Sequence, residues 1–355
     1  MKNENVINRD KLLSYSAFLS ILVVLIHTEN IPAFSLSLDG TFFEKAIYAL
    51  QRFLSGNIAK IGVPSFFMLS GILFYRDFDF SKYPKKMKNR FFSLIIPYLL
   101  WNFLRFALFY LLGKFPMVQK TLYINPVVFT PEIFLKSVFF YQYNLGYWFM
   151  YQLILFTLLC PIIHILLKKK SVAIVSLCAV FALYCSDALA DISLTIFHGK
   201  FLQIDCLFYY MLGGFFGTHC FSLVNRKNRW TKTLAVFGVL LGQACFYLFH
   251  TTQLLVFHIL FCTISSVAFW YLFDIVLKKP ITTKISTITF FIYSAHGTVL
   301  ELSQAVIAAV FPRTPLVALG EYLLLPCMTL ALLVGISLLL KRYAGGVWKL
   351  LNGGR

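Results

Sequence analysis

Charge is scarce in this chain, and negative charge is scarcer still. Only 13% of its 355 residues are charged, with 14 Asp and Glu against 32 Lys and Arg. A water-soluble domain of this length could not hide 59% hydrophobic residues, 39 of them Phe, from solvent. A soluble globular class is therefore excluded, and the composition predicts an all-α, polytopic integral membrane protein forming one continuous domain, 1–355. The 8 cysteines fall mostly in apolar runs and form no Cys-x-x-Cys pair, so neither a metal site nor a disulfide framework is expected. No glycine-rich phosphate loop is present, and no repeat, low-complexity tract or linker marks off a second domain. The first apolar run lacks a small-residue cleavage site and is followed by Thr28-Glu29-Asn30, which predicts a retained first span.

What charge there is has a pattern. Basic clusters fall in alternate gaps between apolar runs: Lys2/Arg9/Lys11, Arg76 through Arg90, Lys168-Lys169-Lys170, Arg226 through Lys232, Lys278-Lys279/Lys284, and Lys341-Arg342/Lys349/Arg355. About ten transmembrane helices account for the apolar runs, roughly at 12–31, 57–75, 92–112, 146–167, 171–188, 203–221, 233–250, 254–277, 285–305 and 319–340. With ten crossings every strongly basic gap lands on one side, and the excess of Lys and Arg on cytoplasmic loops puts both termini in the cytoplasm. The net charge of +18 then encodes orientation and attraction to anionic lipid rather than nucleic-acid binding.

Two predicted external gaps carry further signals. In 113–145, Thr130-Pro131-Glu132 ahead of Ile133-Phe134-Leu135 reads as a helix start with Pro in the first turn, lying in the outer interface. The gap 28–56 carries Glu29, Asp39, Glu44, Lys45 and Arg52 and is placed over the outer mouth.

The residue that points furthest towards function is His27, which closes the apolar run from Leu12 to Ile26. An ionisable side chain inside hydrocarbon is costly and usually marks a pathway, a proton relay or a reaction. At about 1.5 Å per residue it lies roughly 22 Å from Leu12, in the half of the membrane furthest from the N-terminus. At helical spacing Ser16, Ser20 and His27 share one stripe, Arg9 falls on it five turns earlier, and Lys11 points the other way. The plainer reading is that the serines aid packing and the histidine is hydrogen-bonded structure. In the second span, Pro64 frees a backbone carbonyl, and Ser70-Gly71 permits close approach of a neighbouring helix or a ligand.

Taken in order, these landmarks resemble a known family. The run Val23-Val24-Leu25-Ile26-His27 is followed by Gly62-Val63-Pro64-Ser65-Phe66-Phe67-Met68-Leu69-Ser70-Gly71, then by Lys88-Asn89-Arg90 leading through Pro97 to Trp101. Trp148-Phe149 with Pro161, and Phe290-Phe291-Ile292-Tyr293-Ser294-Ala295-His296, complete a set similar to the bacterial membrane acyltransferase-3 family across nearly the whole chain. The resemblance implies a multi-pass enzyme of the cell inner membrane. It would move an acyl group, usually acetyl, from cytoplasmic acetyl-CoA or another acyl-CoA to a hydroxyl of an extracytoplasmic glycan or lipid-linked sugar.

The same resemblance assigns catalysis to His27 and donor binding to Lys88 and Arg90. Where many members have an arginine eleven residues before that histidine, this chain has Ser16, which leaves Arg9 as the substitute cation. Many relatives also carry an Arg-Asp pair where Tyr151-Gln152 stand here. The chemistry is coherent from the residues up: the phosphates of coenzyme A need clustered cations, and a sugar hydroxyl needs a base, which an imidazole supplies near neutrality. His27 could equally carry the acyl group itself. Glu29 could orient the imidazole if the helix ends near Thr28, because i and i+2 do not face each other within a helix. His296 is a second catalytic candidate, Arg105 a lining of the donor route or a partner of Asn102, and Lys60, Ser70 and Trp148 are candidate acceptor contacts. His164, His198, His219, His250 and His258 rank as interfacial or packed. The rival reading is a polysaccharide exporter of the same architecture, for which an intramembrane histidine on a polar path would serve permeation.

Overall fold

Backbone N–H and C=O groups that enter hydrocarbon must satisfy one another within their own segment, and every regular element among the described residues is helical. The computed structural model describes residues 7–122, 127–186, 201–276 and 283–354. Lys2, His198, Lys278, Lys279 and Arg355 lie outside them. In chain order the helices are α1 (Arg9–His27), α2 (Phe42–Leu54), α3 (Gly62–Tyr75), α4 (Tyr83–Arg90), α5 (Ile96–Leu112), α6 (Pro116–Leu122), α7 (Pro131–Phe140), α8 (Trp148–Leu158) and α9 (Cys160–Lys168). They continue as α10 (Lys170–Ser186), α11 (Ile204–His219), α12 (Phe221–Val224), α13 (Arg229–Thr252), α14 (Leu255–Val276), α15 (Thr289–Val310), α16 (Pro315–Tyr343) and α17 (Gly345–Leu351).

Six stretches among the described residues are long and apolar enough to cross a membrane: 9–27, 42–75, 80–112, 229–252, 255–276 and 315–343. A seventh is broken: α8 and α9 meet at 66°, where Pro161 enters the first turn of α9 without an N–H to give. The sequence reading counts ten, and the physical difference is clear for the remaining three. Helices α10 and α11 have 17 and 16 residues, short of the roughly 20 that span hydrocarbon. Helix α15 has 22 residues but spends several on Ser294, His296, Glu301 and Gln304. The chain is a multi-pass membrane protein in either count.

The chain divides into two compact units, each assembled from separated segments. Unit 1 comprises Met1–Leu19, Lys60–Lys88 and Gln152–Thr287. Its tightest seam is α3 against α11. A Cβ on Gly71 would run into the Tyr210 carbonyl, and one on Gly213 into the Met68 carbonyl, so only hydrogen fits at either position. Small residues that bring backbones together supply the dispersion contacts on which helix association in lipid depends. Tyr15 is buried in the same unit, with its hydroxyl 3.2 Å from Ser65 Oγ and donating to the Ser266 carbonyl at 3.2 Å. Lys11, also buried, donates to Asp274 Oδ2 at 2.7 Å, Lys227 stands 3.5 Å from the other carboxylate oxygen, and the ammonium lies 4.0 Å above the Trp270 ring.

Unit 2 comprises Ser20–Ala59, Asn89–Tyr151 and Ile288–Arg355. Helix α7 starts as the sequence predicts, with Thr130 Oγ1 accepting from the Ile133 N–H and Pro131 in the first turn. The gap 28–56, expected from the sequence to lie outside, holds more structure than the sequence reading assigned to it, and from Phe42 onwards it belongs to a stretch long and apolar enough to cross a membrane. Helix α2 is fixed by a capping box in which Thr41 and Glu44 bond reciprocally to each other's backbone N–H. At the far end of the unit, Trp101 Nε1 donates to the Leu351 carbonyl at 3.0 Å, and Trp348 packs on Phe291 at 5.3 Å.

Candidate active site

The site is built on unit 2, where α1 ends at His27 and α15 presents His296. The two imidazole centroids are 5.2 Å apart, with their planes tilted by 53°. His27 is exposed, whereas His296 is buried with 4% of its surface accessible. They stand 269 positions apart in the sequence, and helix packing brings them together.

The last turn of α1 would leave carbonyls without partners, and two side chains from elsewhere in unit 2 donate to them. Ser55, just past α2, donates to the Leu25 carbonyl at 2.8 Å and contacts the Tyr322 hydroxyl of α16 at 2.8 Å. Gln304 of α15 donates to the His27 carbonyl at 3.4 Å. Immediately beyond, Asn30 and Gln51 form a reciprocal buried pair: the Asn30 N–H donates to Gln51 Oε1 at 3.0 Å, and Gln51 Nε2 donates to Asn30 Oδ1 at 2.7 Å. The Asn30 amide also donates to the Ala318 carbonyl at 3.1 Å. Glu321 of α16 lies beside the amides of Asn30 and Gln304. This clamp holds the backbone of His27 while its ring stays accessible.

Helix α15 is held from the other side by α5. Tyr98, Asn102 and Arg105 lie at i, i+4 and i+7 and share one face of α5. Tyr98 and Asn102 donate to the terminal carbonyls of α7, Phe139 at 2.8 Å and Val138 at 3.1 Å. Asn144 donates to Asn102 at 2.9 Å, which fixes the turn after α7, where Tyr141 adopts the left-handed region at φ 48°. That turn offers its Tyr143 carbonyl to Arg105 Nε, while the other guanidinium nitrogens bond Thr298 Oγ1 at 2.7 Å and the Glu301 carboxylate. Arg105 is therefore spent on α15, two residues past His296 and one turn further on. It sits with the histidine pair, not with the basic helix α4, and it does not pair with Asn102.

His296 shows through its partners which tautomer its neutral ring adopts. Nδ1 lies 2.9 Å from the Ile292 carbonyl and 2.8 Å from the Tyr293 carbonyl. Carbonyl oxygens only accept, so Nδ1 carries the hydrogen and the neutral ring keeps its lone pair on Nε2. Nε2 is buried, and among the described residues no hydrogen-bond partner reaches it. Tyr293, one turn back, donates its hydroxyl to the Gly146 carbonyl at 2.9 Å and accepts from the Met150 N–H, which fixes the entry to α8.

The other sequence candidates disperse. Helix α1 ends at His27, the condition that Glu29 required, but the Glu29 carboxylate faces Arg52 at 3.5 Å. Trp148 is half-buried at the start of α8 and packs edge-on against Phe149. Ser16 is half-buried and Ser20 buried. Arg9, Lys60 and Lys88 are exposed and Arg90 half-buried, while Ser70 is half-buried beside the glycine seam of α3. Four other histidines are packed: His164 against Phe78 and Phe80, His219 on the Leu167 carbonyl, His250 on Phe246, and His258 between Phe249 and Cys262. The sequence reading did not single out Gln304, Glu321, Asn30, Gln51, Ser55 or Tyr322. Their partners lie up to 288 residues away, beyond the reach of local pattern.

A family model described as an acyltransferase domain matches residues 17–341. The chain belongs to the acyltransferase-3 family. The match runs from within α1 to the end of α16 and includes both members of the histidine pair. No curated protein and no solved structure matches the chain. Membership of the acyltransferase-3 family makes it an acyltransferase of the membrane.

Proposed function

We propose that this protein is an integral-membrane O-acyltransferase. It takes an acyl group, acetyl in the simplest case, from a cytoplasmic acyl-CoA and delivers it to a hydroxyl of an extracytoplasmic glycan or lipid-linked sugar. The proposal includes ten crossings of the cell inner membrane with both termini cytoplasmic, supported by the alternation of basic gaps. The observation that carries it is the accessible imidazole of His27 beside the buried imidazole of His296, within a chain of acyltransferase type.

The acceptor hydroxyl attacks the thioester carbonyl carbon, the C–S bond breaks and the electron pair leaves with sulfur. His27 takes the hydroxyl proton as the new C–O bond forms, which is worth roughly 10²–10⁴-fold when the base is positioned. Clustered cations would hold the donor's phosphates. Lys88 and Arg90 on the exposed basic helix α4, and exposed Arg9, suit that task by charge and accessibility. Lys60, Ser70 and Trp148 stay as proposed acceptor contacts. Arg105, with each of its three guanidinium nitrogens bonded to Tyr143, Thr298 or Glu301, is reassigned from donor binding to holding α15 and the histidine it carries.

Mass spectrometry of surface glycans tests the reading. Cells lacking the protein should lose an acetyl or larger acyl mass from one glycan. Wild type should restore it and His27→Ala should not. Glycan masses that do not change, with export of the polymer abolished instead, would favour the exporter.

A further inference from the structure

A groove of about 750 Å³ runs between α15 and α16 in unit 2, lined from Val299 to Phe311 on one side and from Val317 to Leu332 on the other. That volume falls in the range of roughly 300–1,000 Å³ usual for ligand sites. On α16 the lining falls in two rows spaced by four residues, each on one face. Glu321, Leu325 and Thr329 are buried, whereas Leu324, Met328 and Leu332 are exposed, so the groove has an enclosed floor and an open rim. Gly320 heads the second row, and a Cβ there would meet nothing within 4 Å. Glycine is disfavoured in a helix interior, and no neighbour demands it at this position; what it contributes is room.

One end of the groove adjoins the candidate active site. Glu321 lines it beside the amides of Asn30 and Gln304, and Gln304 donates to the His27 carbonyl at 3.4 Å. From Glu321 to Leu332 the floor and rim run on for about 16 Å of helix, roughly half the hydrocarbon thickness of a bilayer. On the topology proposed above, α16 descends from the outer face, so the groove points as the chains of an outer-leaflet lipid point. One polar atom interrupts this mostly aliphatic stretch. Thr329 Oγ1, about 12 Å along the helix from Glu321, is buried with no hydrogen-bond partner among the described residues. Buried hydroxyls are ordinarily bonded, which leaves this one for an acceptor carried by a ligand. The described lining has one carboxyl group and no Lys or Arg. A phosphate or diphosphate link would call for cations and would face that carboxyl group instead.

We propose, on the acyl-transfer reading above, that this groove seats the acceptor, and that the acceptor is a glycosyl diacylglycerol, a glycolipid whose sugar and acyl chains are joined by an uncharged glycerol link. The sugar lies at the Glu321 end, next to the clamp on the end of α1, where the carboxyl group can bond its hydroxyls. An ester carbonyl lower down accepts from Thr329, and an acyl chain lies along Leu325, Met328 and Leu332. The lipid enters sideways over the open rim, while the donor arrives from the cytoplasmic side.

Binding is tested before turnover. The purified full-length chain is released from lipid nanodiscs into a mass spectrometer, with glucosyl diacylglycerol and phosphatidylglycerol supplied in equal amounts. Wild type should retain the glycolipid in preference to the phospholipid. Gly320→Trp, whose side chain starts into open space, should lose it. Thr329→Val keeps the side chain's shape and should bind it about 2–10-fold more weakly, the worth of one hydrogen bond; it decides the point should the tryptophan variant fail to fold. Equal retention of the two lipids, or glycolipid retention indifferent to the substitutions, overturns the proposal and leaves an ordinary lipid-facing cleft. A second copy of the chain occupying the groove in place of lipid, seen as a dimer that Gly320→Trp abolishes, overturns it as well. Turnover is then followed in liposomes with acetyl-CoA, by thiol release and product mass. Wild type should acetylate glucosyl diacylglycerol in preference to methyl glucoside, and Gly320→Trp should erase that preference. Glycolipid that binds but is never acetylated, while methyl glucoside is, overturns the acceptor assignment and leaves acyl transfer standing. No thiol release with either acceptor overturns the acyl-transfer reading and the acceptor's role with it, whereas lipid seating in the groove is decided by the binding result alone.

Discussion

Each unit buries one strongly polar cluster, and the two are finished differently. In unit 1, Lys11, Asp274 and Lys227 close upon one another beneath Trp270, and the carboxylate has a cation on each oxygen. In unit 2, the polar groups around the end of α1 are joined by hydrogen bonds as well, whereas on α15 both Ser294 Oγ and His296 Nε2 are buried with no hydrogen-bond partner among the described residues. Burial of charge alone therefore does not mark chemistry in this protein. What separates the clusters is whether capacity is left over: the first is a fastening, the second a fastening around an open acceptor.

Substitutions can sharpen that contrast. The largest effect on transfer should come from His27→Ala, which removes the accessible ring: acylated product should fall by about 10²-fold or more, with little change in the melting temperature because the side chain is exposed. The largest effect on stability should come from Asp274→Ala. It leaves Lys11, whose side chain is only 10% accessible, without its counter-ion, and the cost of uncovering such a pair is about 3 kcal/mol. Melting temperature should drop while turnover per folded molecule holds, and pairing Asp274→Leu with Lys11→Met should recover most of the loss. Equal damage to turnover would show that the fastening also serves the donor. A smaller loss, about 1 kcal/mol, is expected for Gln51→Leu, which breaks the reciprocal amide pair with Asn30. Its signature should be a lower kcat, as the end of α1 loosens.

The smallest effect should come from Glu132→Gln at the start of α7. The bond from Lys136, and its charge, hold the Glu132 carboxyl below its ordinary range. The stabilising contribution is therefore present above the ordinary carboxylate pKa and is lost as pH falls through the lowered value. Melting curves of variant and wild type should coincide in strong acid and separate slightly towards neutrality. Because the pair is solvent-exposed, a large separation would contradict its peripheral placement.

Local chemistry in the sequence accounts for much of this. The apolar run that ends at His27 is a helix that ends at His27, and Thr130-Pro131 opens a helix. Helix α2 was equally readable, since Thr41 and Glu44 stand three apart in the order a capping box requires. The charges in that gap drew attention to its polarity instead. Stripe periodicity also correctly turned Lys11 away from Ser16 and Ser20, but it had no means of finding Asp274, 263 residues on. The partner of Arg105 was missed for the same reason: a one-turn neighbour, Asn102, is visible along the chain, whereas Glu301 becomes a neighbour only through packing. His296 was singled out by its surroundings in sequence, yet its bare Nε2 follows from two backbone carbonyls of its own helix and needed coordinates to see.

The seam between α3 and α11 has its own implication. At Gly71 and Gly213 the two backbones meet with hydrogen as the spacer, so one added methyl measures the full tolerance of the joint. Sliding either helix by a single position would drive a neighbouring side chain into a carbonyl. Whatever motion accompanies a catalytic cycle, these two helices must travel as one piece, and any hinge has to be sought elsewhere along the chain.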